Sequence, residues 1–240
     1  IPTGLGKTQG VMAAWCHQRV IEKNKNWPLR LVWCLPMRVL VEQTENVARN
    51  LLTNIQEAQR PEIHVLMGGL DAGEWHTKPE RPAIIIGTQD MLLSRALNRG
   101  YSCSRARWPM EFGLLNQDAL WVMDEIQLMD VGLATSAQLQ AFRDQDATKH
   151  MRPCHTWWMS ATLQSDWLFS VDTEKYHPVW VSSPCEIASR DRVGVLWNVS
   201  KPVEKDSIPA ENHEEFAKRI LQEHSKLEEG EFGKVTLVVC

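Results

Sequence analysis

Short apolar runs alternating with longer segments of helical periodicity predict an α/β fold, a mostly parallel sheet covered by helices on both faces. Two motifs support that reading. The chain opens on Pro2-Thr3-Gly4-Leu5-Gly6-Lys7-Thr8 followed by a periodic segment, and the apolar run 120–123 ends in the acids Asp124 and Glu125.

The elements follow in order. Residues 29–35 form a compact apolar run between Pro28 and Pro36 and read as a buried strand. Residues 39–55 carry Val39, Leu40, Val47, Leu51 and Ile55 near helical spacing. A strand over 63–67 stops at Gly68-Gly69, and another over 83–86 precedes a helix over 88–97. A strand over 119–123 and a helix over 131–142 come next, then a strand over 156–159 and a helical segment over 161–169. Residues 171–209 are richer in proline and polar residues and read as a linker with one strand over 193–199. A helix over 210–227 and a β-rich run over 234–240 then look like the start of a second domain, giving a division into 1–170, 171–209 and 210–240.

At 240 residues, with 43% hydrophobic and 23% charged residues, the chain has the composition of a globular protein rather than a disordered one. No apolar run approaches the roughly 18 residues of a membrane span, so no membrane partner is expected. Six scattered cysteines without a CxxC pair argue against a zinc site and a disulfide framework, and fit a reduced cytoplasmic protein. A net charge of −4 gives no global pull toward nucleic acid, although backbone N–H groups and helix N-termini can still hold phosphates. Among the tryptophans, Trp33, Trp121, Trp157 and Trp158 sit in apolar runs and are expected in the core.

The opening residues suit a phosphate-binding loop. Thr3, Gly4, Leu5 and Gly6 would wrap backbone N–H groups around phosphates, Lys7 would reach the β and γ phosphates of ATP, and the Thr8 hydroxyl would bind Mg²⁺. Ile1 stands where the pattern begins with Gly or Ala. The complementary half needs a carboxylate at a strand's C-terminal end: Asp124 to hold the metal, Glu125 to polarise the attacking water. Downstream, Ser160-Ala161-Thr162 follows an apolar run, where Ser160 could also cap a helix.

The order PTGLGKT, LPMRVLVEQT, GG, GTQD, DEIQ, SAT resembles the first RecA-like domain of a superfamily 2 helicase. The longer strings IGTQDMLLSRALNRG, RWPMEFGLLNQDALWVMDEIQLM and MSATL resemble the CRISPR-associated helicase–nuclease of type I systems. The resemblance covers about residues 1–170 well and 171–240 loosely. It implies a RecA-like P-loop NTPase fold, truncated here at both ends, that couples ATP hydrolysis to 3′-to-5′ movement on single-stranded DNA, with an RNA-guided CRISPR surveillance complex as partner. Carried over by motif, Lys7, Asp124 and Glu125 act on ATP. Gln127 senses the γ-phosphate and couples it to Ser160 and Thr162. Pro36, Arg38, Gly68, Gly69, Thr88 and Gln89 fall in motifs that contact the tracked strand. The nearest alternative is another superfamily 2 helicase for DNA or RNA. An alternative of another class is an ATP-binding switch or scaffold that does not translocate, against which Glu125 argues.

Charge supplies one more nucleic-acid candidate. Arg95, Arg99, Arg105 and Arg107 lie between Met91 and Met110 with no acid, beside Tyr101 and Trp108, a pattern suited to phosphates and stacked bases and equally to a solvated loop. Cys154-His155 near His150 has poor spacing for a metal. The family's nuclease uses a His-Asp dyad, and no His-Asp dipeptide occurs here. A phosphate loop is normally fed by a strand, and a second domain normally supplies arginines worth about 10³ to 10⁵ in rate. Weak nucleotide binding and little DNA-stimulated turnover are therefore expected of residues 1–240 alone.

Overall fold

The computed structural model describes residues 5–68, 73–147, 152–160, 164–182, 187–194, 197, 212–228, 233–234 and 236. The chain divides into two units, Ile1–Trp197 and Asn198–Cys240.

The first unit is built on a five-stranded sheet of order β2-β3-β1-β4-β5, where β1 is Arg30–Leu35, β2 Glu62–Leu66, β3 Ala83–Thr88, β4 Ala119–Asp124 and β5 Cys154–Met159. Every pairing is parallel. The three inner strands are buried at all six positions, as sheets covered on both faces require. The flanking strands β2 and β5 are only partly buried.

Strand side chains alternate between two cores. Leu31, Trp33, Leu35, Ile84, Ile86, Leu120 and Val122 pack with Met12 and Trp15 of helix α1 (Lys7–Trp15) and with Val41 and Ala48 of α2 (Arg38–Leu52). On the opposite face, Val32, Cys34, Ile85, Trp121 and Met123 meet Leu92 of α3 (Gln89–Ala96), Leu115 of α4 (Trp108–Asn116) and Leu133 and Ala137 of α5 (Val131–Gln145). Burial pushes the Cys16 thiol up to about 11, and that of Cys34 further still, so both behave as packing groups.

Two buried arginines stitch the edge where the strands begin. Arg30 donates to the carbonyls of Leu114, Pro79 and Gln117 at 2.8, 3.0 and 2.8 Å. Arg143 donates to Asn116 Oδ1 at 2.9 and 2.8 Å and to Thr156 Oγ1 at 3.1 Å, with its guanidinium 5.1 Å from the Trp121 ring centre. Burial lowers the pKa of both.

Several elements differ from the sequence expectation. Helix α4 covers part of the segment read only as basic and aromatic. In place of a helix over 161–169 there is one 3-10 turn, Ser165–Leu168, and residues 161–163 lie outside the described residues. Trp157 is 42% exposed rather than buried, because β5 flanks the sheet; its ring meets Trp27 edge-on at 6.4 Å. The first unit runs past residue 170: helix α6 (His177–Val181) follows, and Trp180 donates to Asp144 of α5 at 2.8 Å. Most of the strand expected over 193–199 lies outside the described residues.

In the second unit, α7 (His213–Lys226) is capped by Asn212, whose side chain accepts from the Glu215 N–H at 3.3 Å and donates to its carboxylate at 2.6 Å. The expected run 234–240 is outside the described residues except for Lys234 and Thr236.

Candidate nucleotide site

In a parallel sheet all strands end on one side, so loops after β1, β2, β3, β4 and β5 share a rim. Gly6 precedes α1 with φ +74°, a left-handed conformation that glycine adopts without penalty. It starts the helix: the Gly10 N–H donates to the Gly6 carbonyl at 2.8 Å. Lys7 and Thr8, both partly buried, therefore occupy the first turn, and Leu5 lies just before it. Thr3 and Gly4 are outside the described residues.

Lys7 Nζ is buried and, among the described residues, has no hydrogen-bond partner; it lies 3.7 Å from Glu125 Oε1. A buried ammonium without acceptors is costly, and phosphate oxygens would satisfy it. The chain's own groups thus fit a nucleoside triphosphate with its divalent cation, which Lys7, Thr8 and Asp124 would hold.

Asp124 closes β4 and is 5% exposed. Its Oδ1 accepts from the Glu125 N–H at 3.0 Å, and its Oδ2 accepts from Trp33 Nε1 at 3.3 Å. Burial pushes the carboxyl above the ordinary carboxylate range, with the nearby Glu125 charge adding to the rise. Lys7 and the two hydrogen bonds pull it back without cancelling the shift. An oxygen ligand that is buried and held on both sides suits a hard cation.

Glu125 has left-handed backbone angles, φ 54° and ψ 45°, uncommon outside glycine, asparagine and aspartate. The turn brings its carboxylate toward Lys7. Gln127 Nε2 donates to Glu125 Oε2 at 2.5 Å, and Gln127 Oε1 accepts from Ser160 Oγ at 2.8 Å. A continuous chain thus joins Lys7, Glu125, Gln127 and Ser160, linking the phosphate loop, the turn after β4 and the end of β5. Thr162 lies outside the described residues.

The other rim residues are on neighbouring strand ends. Pro36 and Arg38 follow β1, with Arg38 exposed, and Gly68 is exposed two residues beyond β2. Thr88 ends β3 and Gln89 opens α3. Gly69 lies outside the described residues. The Gln89 side-chain oxygen Oε1 is buried, has no hydrogen-bond partner among the described residues and sits over Gly132, where an added Cβ would collide with it. This dependence of Gln89 on a glycine in α5 is invisible without the fold.

The arginine cluster divides. Arg95 is 1% exposed and pairs with fully buried Glu111 at 2.7 Å, while its Nη1 donates to the Met91 carbonyl at 2.8 Å. Arg107 pairs with the other Glu111 oxygen at 2.9 Å and donates to the Gly73 carbonyl at 3.1 Å. Both are occupied by an acid one residue past the acid-free window. Arg99 and Arg105 are exposed, Arg105 lying 6.0 Å from the Trp108 ring centre. The loop carrying them follows α3, which runs back from the rim.

Among the described residues no group of three or more His, Cys, Asp or Glu side chains could hold a metal, and no helix is long and apolar enough to cross a membrane.

Comparison with known proteins adds a family. The model of the DEAD/DEAH box helicases matches residues 1–169. No curated protein matches the sequence. Among solved structures, the chain is similar to Mss116p bound to single-stranded RNA and AMP-PNP, at 19% identity and TM-score 0.44, covering 70% of this chain and 32% of that one. It is also similar to the DUF1998 helicase MrfA, at 16% identity and TM-score 0.48, covering 69% of this chain and 24% of that one. The chain thus spans about a third or less of the length of these solved chains.

Proposed function

Because the chain belongs to the DEAD/DEAH box helicase family, we propose that it carries half of the ATP site of a motor that moves on single-stranded DNA in CRISPR interference. The observation that carries the ATPase reading is the chain Lys7, Glu125, Gln127, Ser160. A module that only bound nucleotide would need the lysine but not a carboxylate beside it. Here Glu125 is positioned between the phosphate-binding ammonium and a glutamine that reports to the end of β5.

Each group has a task in hydrolysis. Lys7 and the first turn of α1 neutralise charge on the phosphates. Asp124 holds the metal, and Glu125 orients and polarises the attacking water. A bound Mg²⁺ supplies the positive charge that stabilises the leaving phosphate oxygens. Loss of the γ-phosphate alters what Lys7 and Glu125 face, and Gln127 transmits that change to Ser160. Pro36, Arg38, Gly68, Thr88 and Gln89 share the rim, where a nucleic-acid strand would feel the movement.

The assignment to single-stranded DNA and CRISPR interference is supported by the resemblance of the strings around α3, α4 and β4 to the CRISPR-associated helicase–nuclease. The RNA-guided surveillance complex is then the partner that opens the target duplex. ATPase assays on the full protein test it with single-stranded DNA and RNA of one sequence. DNA should stimulate turnover and RNA should not. Stimulation by RNA alone removes the CRISPR reading, and no stimulation by either removes the motor.

A further inference from the structure

We propose that Trp33 is a positioning residue for the metal-binding carboxylate of Asp124, setting the Mg²⁺ affinity of the site through its indole N–H. The inference rests on the ATP-site reading above and assigns a role to a residue outside its motifs.

Trp33 lies in β1 opposite Val122 of β4 and faces the core shared with α1 and α2. Asp124 is two residues further along β4, so its side chain leaves the sheet on the same face. The indole can therefore reach diagonally across one strand, and its Nε1 lies 3.3 Å from Asp124 Oδ2. Trp33 is wholly buried and Asp124 nearly so, so another donor could reach Oδ2 on this side only by entering the core. An aliphatic side chain at position 33 would fill the core but leave Oδ2 without it.

The geometry points to orientation rather than packing alone. Asp124 Oδ1 is held by the Glu125 N–H at 3.0 Å and Oδ2 by the indole, so the carboxylate plane is fixed from both sides. An ionised carboxylate accepts about four hydrogen bonds, so lone pairs remain for a cation on each oxygen. Partners that orient metal ligands typically contribute about 10- to 100-fold in metal affinity. Trp121 provides a contrast: an equally buried indole on β4, it donates to the Leu115 carbonyl at 2.7 Å, on the other face of the sheet.

Calorimetric ADP binding in the full protein, measured across a Mg²⁺ titration, tests the proposal without relying on turnover. Trp33→Phe should raise the Mg²⁺ concentration for half-maximal tightening about tenfold or more. ADP affinity without metal should not change. Trp121→Phe should lose stability yet keep the Mg²⁺ dependence of the parent. If Trp33→Phe folds poorly, benzothienylalanine at position 33 keeps the ring shape, removes the donor and should give the same shift. An unchanged Mg²⁺ dependence in either Trp33 variant overturns the role. So does an equal shift in Trp121→Phe, which would make it generic packing. Asp124→Asn separates the levels: if it leaves the Mg²⁺ dependence intact, the site reading itself fails and the role of Trp33 falls with it.

Discussion

Replacing Glu111 with glutamine isolates the electrostatic part of the α3–α4 junction. Glu111 is fully buried and Arg95 is 1% exposed, so the substitution keeps the shape and removes the counter-charge from an ion that water cannot reach. Breaking a buried pair in this way costs about 3–5 kcal/mol. The second partner, Arg107, is 30% exposed, and losing its pairing adds at most about 1 kcal/mol. For a chain of this size 1 kcal/mol shifts Tm by roughly 2–4 °C, so Glu111→Gln should lower Tm by roughly 6–24 °C. Urea unfolding followed by circular dichroism measures the loss directly. The double variant Arg95→Met with Glu111→Leu should recover most of it, because an apolar pair of similar volume removes both buried charges. A loss below about 1 kcal/mol in Glu111→Gln, or no recovery in the double variant, would refute the account of Arg95 as a structural ion.

Three further outcomes are expected. Glu125→Gln should bind ATP and lower turnover by about 10²- to 10⁴-fold in single-turnover assays, the contribution of a positioned base; retained turnover would remove its role with water. The raised pKa of Asp124 means that its charged form costs the nucleotide-free fold stability, a cost absent below the ordinary carboxylate range and growing as pH rises through the folded pKa. Without nucleotide or metal, Asp124→Asn should therefore unfold at higher urea than the parent at pH 7, with the gap closing toward pH 4; a less stable variant at both would contradict the sign. Replacing Arg99 and Arg105, the exposed arginines of the cluster, should weaken single-strand binding and flatten its salt dependence by up to about two charges, and an unchanged slope would exclude that loop.

Much of this was legible from residue order because a parallel sheet writes its strands as contiguous apolar runs. All five strands were expected to within two residues at each end, and the apolar stripe of α2 marked its helix. The misses share a cause. Helix α4 begins at Trp108-Pro109 and is apolar nearly all round, so it shows no periodicity. Charge read along the chain missed Glu111, which reaches Arg95 only once α3 and α4 pack together. Trp157 looked like core because a run of apolar residues does not reveal that its strand flanks the sheet. At the site, residue types indicated what each group could do. The bond joining Trp33 to Asp124 crosses strands and required the register, whereas the pairing of Gln127 with Ser160 was expected from the motif resemblance.

The left-handed turn at Glu125 carries a consequence for how this protein can be improved. A side chain there strains the backbone by roughly 1–2 kcal/mol relative to glycine. Glu125→Gly and Glu125→Ala both remove the carboxylate that faces Lys7 and Gln127 and should silence hydrolysis, but the glycine variant should be the sturdier of the two to heat, and a glycine variant no more heat-resistant than the alanine one would deny the strain. At this position durability and chemistry pull against each other. Among variants of this position that lack the carboxylate, screening for thermal robustness alone would favour glycine, at the expense of the group on which the proposed activity depends.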